Sequence, residues 1–589
     1  MEAEKIQVDQ SERNDNTSSG PDIETQAVTP VKETVQPTAL PNEARDEDVV
    51  TLKTWIVVVI LSCSYGLSFW MVTSLAACQT FVATQLGNPA NSAWWTTVYT
   101  MCNAISFMLF GGNSDLFGRR WFIISGNVAV FVGYIVIGSA KSTEAIIAGS
   151  ACIGVGAGLC QLAAFALPEL LPNRIRHIGI LIADASTWVA VLFGPIVGRY
   201  SMVESPERWR WLFYTPAILV AISFTLLVLL YFPPKHPRGI PWHEAVRQLD
   251  YLGAFLFTTG ATLVFTGVIY TTIIPASSKI VIGLLCSGFG VVVIFALYER
   301  FGNLKQPLTP WQIFNVDRGA EFTFPFISGM IVNMFFYSVN IVYPTMIDVF
   351  WTTTNTSVSY ACQLTLPQGL GLITGSMILW FFGNTIGHWK IQYIASFAVM
   401  TLFGALLALG KPSNMGMVMA FVFICEMGYG WAQTLSIMWI QFGVPQTQLG
   451  ISGALAGVAR WTGGALSSSI YLAILSNVQG KQARKLIPAA AIAAGANTTT
   501  ADAMVAAIGL GAAAAEAVPG ATTSIIEAAA GAFTQSYVVG LRTVCLVSIA
   551  FGVIGTICCA LSNDIGPKMT RKIEVFLEND VQKDKNRFH

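Results

Sequence analysis

Gly112-Asn113-Ser114-Asp115-Leu116-Phe117-Gly118-Arg119-Arg120-Trp121 lies between two apolar segments, roughly 92–111 and 122–139. Each flank is about 20 residues long, which at about 1.5 Å per residue matches a bilayer core of about 30 Å. The stretch therefore reads as a tight hairpin between two membrane-spanning helices. Gly112 and Gly118 permit a close turn and a close helix approach. Asp115 can accept from backbone N–H groups or pair with Arg119 or Arg120. Two arginines in so short a loop place it on the cytoplasmic side.

Composition extends this reading to the whole chain. Of its 589 residues 53% are hydrophobic and only 11% charged, with mean hydropathy +0.58. A soluble chain carries about 25% charge, so the lipid bilayer is the first partner implied. A formal net charge of +0 gives no sign of a nucleic-acid partner. Eleven cysteines are present, several of them inside apolar segments (Cys63, Cys102, Cys152, Cys286), with no Cys-x-x-Cys or Cys/His cluster. Packing explains them better than disulfides or metal, and no metal or other cofactor is expected. No phosphate-binding Gly-x-x-x-x-Gly-Lys-[Ser/Thr] motif occurs, so any transport must draw on gradients. Residues 1–50 are polar and read as a disordered cytoplasmic tail; no cleavable signal peptide is visible.

Apolar runs predict about fourteen spans, at roughly 54–76, 92–111, 122–140, 145–167, 178–200, 209–232, 251–272, 279–299, 320–346, 358–382, 391–410, 415–440, 449–476 and 540–562. The fold class is thus an all-α integral membrane protein. Lys and Arg concentrate in loops after even-numbered spans, which places both termini in the cytoplasm, although Arg208, Arg210, Lys481, Arg484 and Lys485 run against the trend. Sequons at Asn355 and Asn497 fall in external loops and are the expected glycosylation sites, whereas the sequon at Asn16 falls inside. The Ala- and Gly-rich stretch 480–539 reads as an external loop with short helices, because Asp502, Glu516, Pro519 and Glu527 oppose insertion of 503–526.

An internal repeat organises the spans. Gly154-Val155-Gly156-Ala157-Gly158-Leu159-Cys160-Gln161 answers to Glu426-Met427-Gly428-Tyr429-Gly430-Trp431-Ala432-Gln433, and Gly112-Asn113 answers to Gly383-Asn384. The expected domains are a tail (1–50), an N-terminal six-helix half (51–232), a linker with two extra spans (233–318), a C-terminal half with external loop 477–539 (319–562) and a cytoplasmic tail (563–589). Parallel halves around a midplane site are a transporter architecture.

Ionisable groups inside spans are costly and usually functional. Asp184, Glu426 and Arg460 are the proton-coupling candidates; Glu426 is the favoured carrier, unless it is bridged to Arg460. Asp184 is shallow enough to meet the Arg119 loop or His177 instead. Asn333, Phe336, Tyr337 and Asn340 are spaced to share one helix face, which suits an amphipathic ligand. Tyr65, Phe69, Trp70, Gln363, Gln368, Gln433 and Trp461 are further cavity candidates. Gly194-Pro195-Ile196-Val197-Gly198 marks a kinked, closely packed helix.

These motifs carry a family resemblance over about 45–565. The loop Gly112–Trp121 resembles the signature loop between spans two and three of the major facilitator superfamily, and Gly194, Pro195 and Gly198 resemble the span-five signature of drug:proton antiporters, with Arg199 where a Gly is common. With Pro168–Arg176 and the long loop before the last span, the chain looks like a fourteen-span fungal trichothecene-efflux-pump type. Ser150, Ile153 and Gly154 stand where many proton-coupled relatives carry an Arg. The resemblance implies a conformational-switch loop at Gly112, Asp115, Gly118, Arg119 and Arg120, a small-molecule substrate and protons as partners. It implies a monomer in the plasma membrane (alternatively a vacuolar or vesicle membrane), and no enzyme. Export of a fungal toxin, secondary metabolite or drug by proton antiport is the expected function; siderophore-iron:proton symport is the alternative. A transport-dead sensor would need longer tails.

Overall fold

The computed structural model describes residues 50–87, 92–172, 175–201, 205, 207–233, 242–274, 277–302, 304–353, 356–445, 448–510 and 512–569. Expectations for the tails 1–49 and 570–589, Asn16, Asn355 and the loop residues Asn173 and Arg174 lie outside the described residues. Nineteen α-helices follow one another: α1 (Leu52–Gln85), α2 (Ala93–Phe117), α3 (Arg119–Gly138), α4 (Thr143–Cys160), α5 (Ala163–Leu170), α6 (Arg176–Tyr200), α7 (Trp211–Leu230), α8 (Trp242–Gln248), α9 (Tyr251–Ile273), α10 (Lys279–Phe301), α11 (Trp311–Phe314), α12 (Thr323–Met346), α13 (Val358–Ile386), α14 (Trp389–Leu406), α15 (Met415–Phe442), α16 (Leu449–Ala493), α17 (Thr498–Ala507), α18 (Ala512–Glu516) and α19 (Thr523–Leu561). Several begin at capping side chains: Thr51, Ser142, Asp250, Ser278, Ser357, Asn497 and Thr522 each accept from a backbone N–H two or three residues on.

Among the described residues fourteen helices reach 18 residues, and twelve of these are also apolar enough to cross a membrane. The two that fall short are α2 and α16. They pack against each other, so each is shielded from lipid along the shared face, where small and polar residues are tolerated.

Several predicted boundaries change. The expected loop around Gly118 shrinks to that residue alone: α2 ends at Phe117, α3 starts at Arg119, and Gly118 turns the chain at φ 82°, a left-handed value that favours glycine. The expected span 145–167 lies within one membrane-crossing segment, Thr143–Leu167, which turns after Cys160. The last two spans were expected to be 449–476 and 540–562, but α16 runs for 45 residues and α19 for 39. At about 1.5 Å per residue α16 is about 68 Å long, over twice a bilayer core of about 30 Å. Its extension, α17 and the start of α19 share a small apolar core built on Ile487, Met504, Ile508 and Ile525. Among the described residues of 503–522 no helix is long enough to span, and 523–526 form the start of α19.

Two large apolar clusters fill the rest, one drawn mainly from α1–α7 and the other mainly from α12–α16 and α19. Helices α9 and α10 pack on each other, and α9 lies against both α2 and α16.

The N-terminal and C-terminal helices are joined tightly where α2 ends. Asp115, 4% exposed, accepts from Gly450 N at 2.9 Å to each oxygen and from Ile451 N at 3.2 Å, capping α16. A Cβ on Gly450 would stand 2.3 Å from Gly111 O, so the backbones meet with no room for a side chain. Arg119, equally buried, donates to Asp115 at 3.0 Å and to Phe165 O at 2.8 Å, and also pairs with Glu169. The expected pairing of Asp115 is thus with Arg119, which is buried and binds three groups inside the protein. Arg120 caps α7 by donating to Val228 O at 3.0 Å and stacks over Phe232.

At the same end Asn384 Nδ2 of α13 lies 3.4 Å from His177 Nε2 of α6, and His177 packs on Trp389. At the opposite end Arg199 of α6 faces Asp348, beyond α12, at 3.9 Å. The two groups of helices thus touch at both ends.

Asp115→Asn leaves an N–H₂ group facing two backbone donors. A loss of about 1–3 kcal/mol from the closed contact would shift a two-state population about 5–150-fold. With Gly112→Cys and Ile451→Cys as reporters (a Cβ on Gly112 is 3.2 Å from Ile451 Cγ1), the expected result is a lower disulfide cross-linking yield in Asp115→Asn. An unchanged yield would mean that the capping contact does not hold this end shut.

Candidate functional site

A narrow cavity of about 50 Å³ lies at mid-length between the two groups of helices, room for only a few waters at about 10–15 Å³ each. Tyr65 and Phe69 of α1 and Asp184, Thr187 and Trp188 of α6 line it from the N-terminal side. Asn333, Phe336 and Tyr337 of α12, Ser376 of α13, Tyr429 and Gln433 of α15, and Arg460 and Trp461 of α16 line it from the other.

Its polar groups are joined in sequence. Tyr65 OH donates to Asp184 Oδ1 at 3.4 Å and accepts from Arg460 Nη1 at 3.2 Å. A guanidinium has donors and no acceptor, so the Gln433 amide is oriented with its oxygen toward Arg460, 2.7 Å from Nη2 and 2.9 Å from Nε. Asn333 Nδ2 stands 3.2 Å from the same Gln433 amide and donates to Gly329 O at 3.0 Å. A line of hydrogen bonds therefore runs from α6 through α1 and α16 to α15, and the Asn333 amide of α12 lies beside its end. It places an acid on one side of the cavity and a base on the other, with a phenol between. Aromatic rings supply the apolar walls: Phe336 stacks on Tyr429 at 4.8 Å, and Phe69 meets Trp461 at 6.2 Å.

The structure sorts the sequence candidates. Tyr65, Asp184, Asn333, Phe336, Tyr337, Gln433, Arg460 and Trp461 converge on the cavity. Asp184 meets Tyr65 rather than the Arg119 loop or His177. Trp70 points away from it and donates to Leu212 O at 3.0 Å. Asn340 is exposed and folds back to Phe336 O at 2.7 Å; sharing a helix face with Asn333 does not suffice two turns on, where the cavity has ended. Gln363 is exposed as well. Thr187, Trp188, Ser376 and Tyr429 were missed, because single polar or aromatic residues in a span carry no signal until their neighbours are known.

Glu426 is fully buried yet does not line the cavity. The bridge to Arg460 weighed from sequence is absent; Arg460 is taken by Tyr65 and Gln433. Gln368 of α13 faces the Glu426 carboxyl without reaching hydrogen-bond geometry. Room for Glu426 comes from Gly371 of α13, where a Cβ would lie 3.1 Å from Glu426 Cβ. In the first repeat the small residue is on the other partner: Gly154 of α4 packs against Tyr99 O of α2.

Gly194 and Pro195 lie within a continuous α6, and a Cβ on Gly194 would be 2.4 Å from Thr73 Oγ1 of α1. Gly198 is buried, and its carbonyl accepts from Ser201 Oγ at 2.7 Å. Asn497 is exposed as the cap of α17, at the far end of the α16–α19 extension.

The family model of the fungal trichothecene efflux pump matches residues 47–588. The MFS-type transporter prx5 of Penicillium rubens is 40% identical over 558 residues, 95% of this chain and 97% of its own. The trichothecene efflux pump TRI12 of Fusarium sporotrichioides is 25% identical over 511 residues, 85% of each chain. Among solved structures, the proton:xylose symporter XylE aligns over 80% of this chain and 98% of its own, at 15% identity and a TM-score of 0.48. With helices that span, two packed groups of them and a cavity between, and a match along nearly all its length, the chain belongs to the fungal trichothecene efflux pump family of major facilitator transporters.

Proposed function

We propose that this protein is a secondary active transporter that exports an amphipathic small molecule, such as a fungal toxin, secondary metabolite or drug, in exchange for protons. Export is supported by the family and by relatives that are themselves named efflux pumps. The single observation that carries the mechanism is the Asp184–Tyr65–Arg460 connection, which joins the two groups of helices inside an aromatic cavity. An ionised Asp184 accepts the Tyr65 proton and leaves the phenol oxygen to Arg460. A protonated Asp184 is itself a donor and competes for that oxygen. Proton uptake thereby loosens the tie across the cavity, and substrate rings and acceptor groups take the vacated contacts on Phe336, Tyr429 and Arg460. The capped α16 end and the Arg199–Asp348 end open in alternation, by the logic of two-state carriers. Glu426 is a second proton-carrying candidate, acting from behind the cavity through Gln368. All fourteen long helices span, α2 and α16 included, and both termini are cytoplasmic.

Vesicles loaded with an amphipathic substrate and given a proton gradient test this reading. Asp184→Asn is expected to abolish accumulation against the gradient, by about tenfold or more, while substrate exchange at equal concentrations survives. Glu426→Gln is expected to keep part of the gradient-driven flux. Normal pH-sensitive accumulation in Asp184→Asn would remove Asp184 from the coupling step, and uptake of ferric siderophore by the wild type would reverse the direction of transport.

Orientation is tested separately. Digestion with an N-glycan amidase is expected to shift the wild type but not an Asn355→Gln/Asn497→Gln variant. Glycan at Asn16 would overturn the placement of the termini.

A further inference from the structure

The two helices inserted between the six-helix groups hold a pair of carboxyl groups that the proposed transport step does not use. Asp250 caps α9: its Oδ1 accepts from Gly253 N at 2.8 Å and from Tyr298 OH at 3.1 Å. Glu299, in the last turn of α10, accepts from Leu308 N at 3.1 Å and Thr309 N at 3.3 Å. Both are well buried, at 9% and 6% exposure. The remaining oxygen, Asp250 Oδ2, accepts no hydrogen bond from any described residue. It is aimed at Glu299: a Cβ on Gly253 would lie 1.9 Å from Asp250 Oδ2 and 3.1 Å from Glu299 Oε1, so the two oxygens are at most 5.0 Å apart.

The charged groups around the pair do not neutralise it. Arg300 stacks on Trp311 at 3.6 Å. Arg247 of α8 and Lys305 border a shallow polar pocket on the Asp250 side of the pair, and both side chains are exposed. Among the described residues Tyr251 and Tyr298 are the other titratable groups at that pocket, and Tyr298 already donates to Asp250. Two carboxylates this close, both out of water and with no cation from the described residues between them, cannot both hold a charge cheaply. One proton placed between them turns a repulsion into a charge-assisted hydrogen bond and gives Oδ2 its missing partner.

We propose that Asp250 and Glu299 form a proton-binding site, in which one proton is shared between Asp250 Oδ2 and the Glu299 carboxyl. The pair then carries one negative charge and closes a clamp. Asp250 holds the start of α9, Glu299 the end of α10, and the Leu308 and Thr309 amides bring in the segment that leads back to α12. Because α9 also lies against α2 and α16, the clamp braces the inserted helices at the seam beside the Asp115 contact. The closed clamp holds one proton more than the open one, whose solvated carboxylates release it, so its stability falls as pH rises.

Hydrogen exchange of the full chain in lipid nanodiscs at pH 6 and pH 9, corrected for the intrinsic rate, tests the site. In the wild type, protection of the Gly253, Leu308 and Thr309 amides is expected to fall with pH, by up to about tenfold per unit, the limit for one linked proton. Glu299→Gln and Asp250→Asn each supply a fixed donor in place of the proton, so their protection is expected to be the same at both values. As a readout that needs no variant, the infrared spectrum is expected to show a protonated carboxyl band at pH 6 that fades by pH 9. Wild-type protection independent of pH would overturn the proposal. So would the lack of that band at pH 6, or protection at pH 9 that returns with added sodium or calcium, which would make the ligand a metal cation.

Discussion

The bond on which this architecture turns is the carboxylate of Asp115 against the first N–H groups of α16. A helix start leaves several donors without partners, and a bilayer supplies no water to satisfy them. Asp115 provides the acceptor from a different group of helices. The cap is charge-assisted and aligned with the helix dipole, so α16 is satisfied only while the two groups are together. Arg119 holds the carboxylate in place and is in turn held by Glu169 and the Phe165 carbonyl. The glycines at 111 and 450 are required because a Cβ at either would stand within 3.0 Å of the opposing backbone.

The repeat built this contact once. Where the first copy has Asp115 in its loop, the second has no acid, and the same end is closed instead by Asn384 against His177. A neutral contact at 3.4 Å is weaker than a carboxylate held by three backbone bonds and a guanidinium, so the two seams at this end are unequal. The other divergence is Glu426 in the place of Gly154. It was accommodated by moving the glycine to the facing helix, at Gly371. Close packing between helices needs one small residue per crossing, and either partner can provide it.

The cavity shows a second economy. A lone acid or base inside a bilayer is expensive. Asp184 and Arg460 sit on opposite walls and are joined through one phenol, so each has a partner. The same connection makes the two walls sensitive to each other, since a phenol oxygen has few lone pairs to share. Rings from both sides leave little free space, and a ligand enters only by separating groups that now touch.

The sequence by itself determined the membrane class, most of the long apolar helices, the hairpin at Asp115 and the pattern of the repeat. Each of these follows from local quantities: the length of an apolar run, the period of a helix, the residue types allowed in a turn. It also singled out Asp184, Arg460 and Tyr65, because charge and hydroxyl in an apolar run stand out without any knowledge of neighbours. Which of them meet was decided by tertiary structure alone. Glu426 and Arg460 lie 34 residues apart and looked like a pair, yet α15 and α16 present them in different directions. Asn340 shares a face with Asn333 but lies beyond the end of the cavity. Arg119 was legible as a partner for Asp115, but not its burial or its second acid, because Glu169 comes from another helix. The extensions of α16 and α19 were hidden for a related reason: alanine-rich segments have no strong apolar stripe, and each becomes a stable helix only when the other covers it.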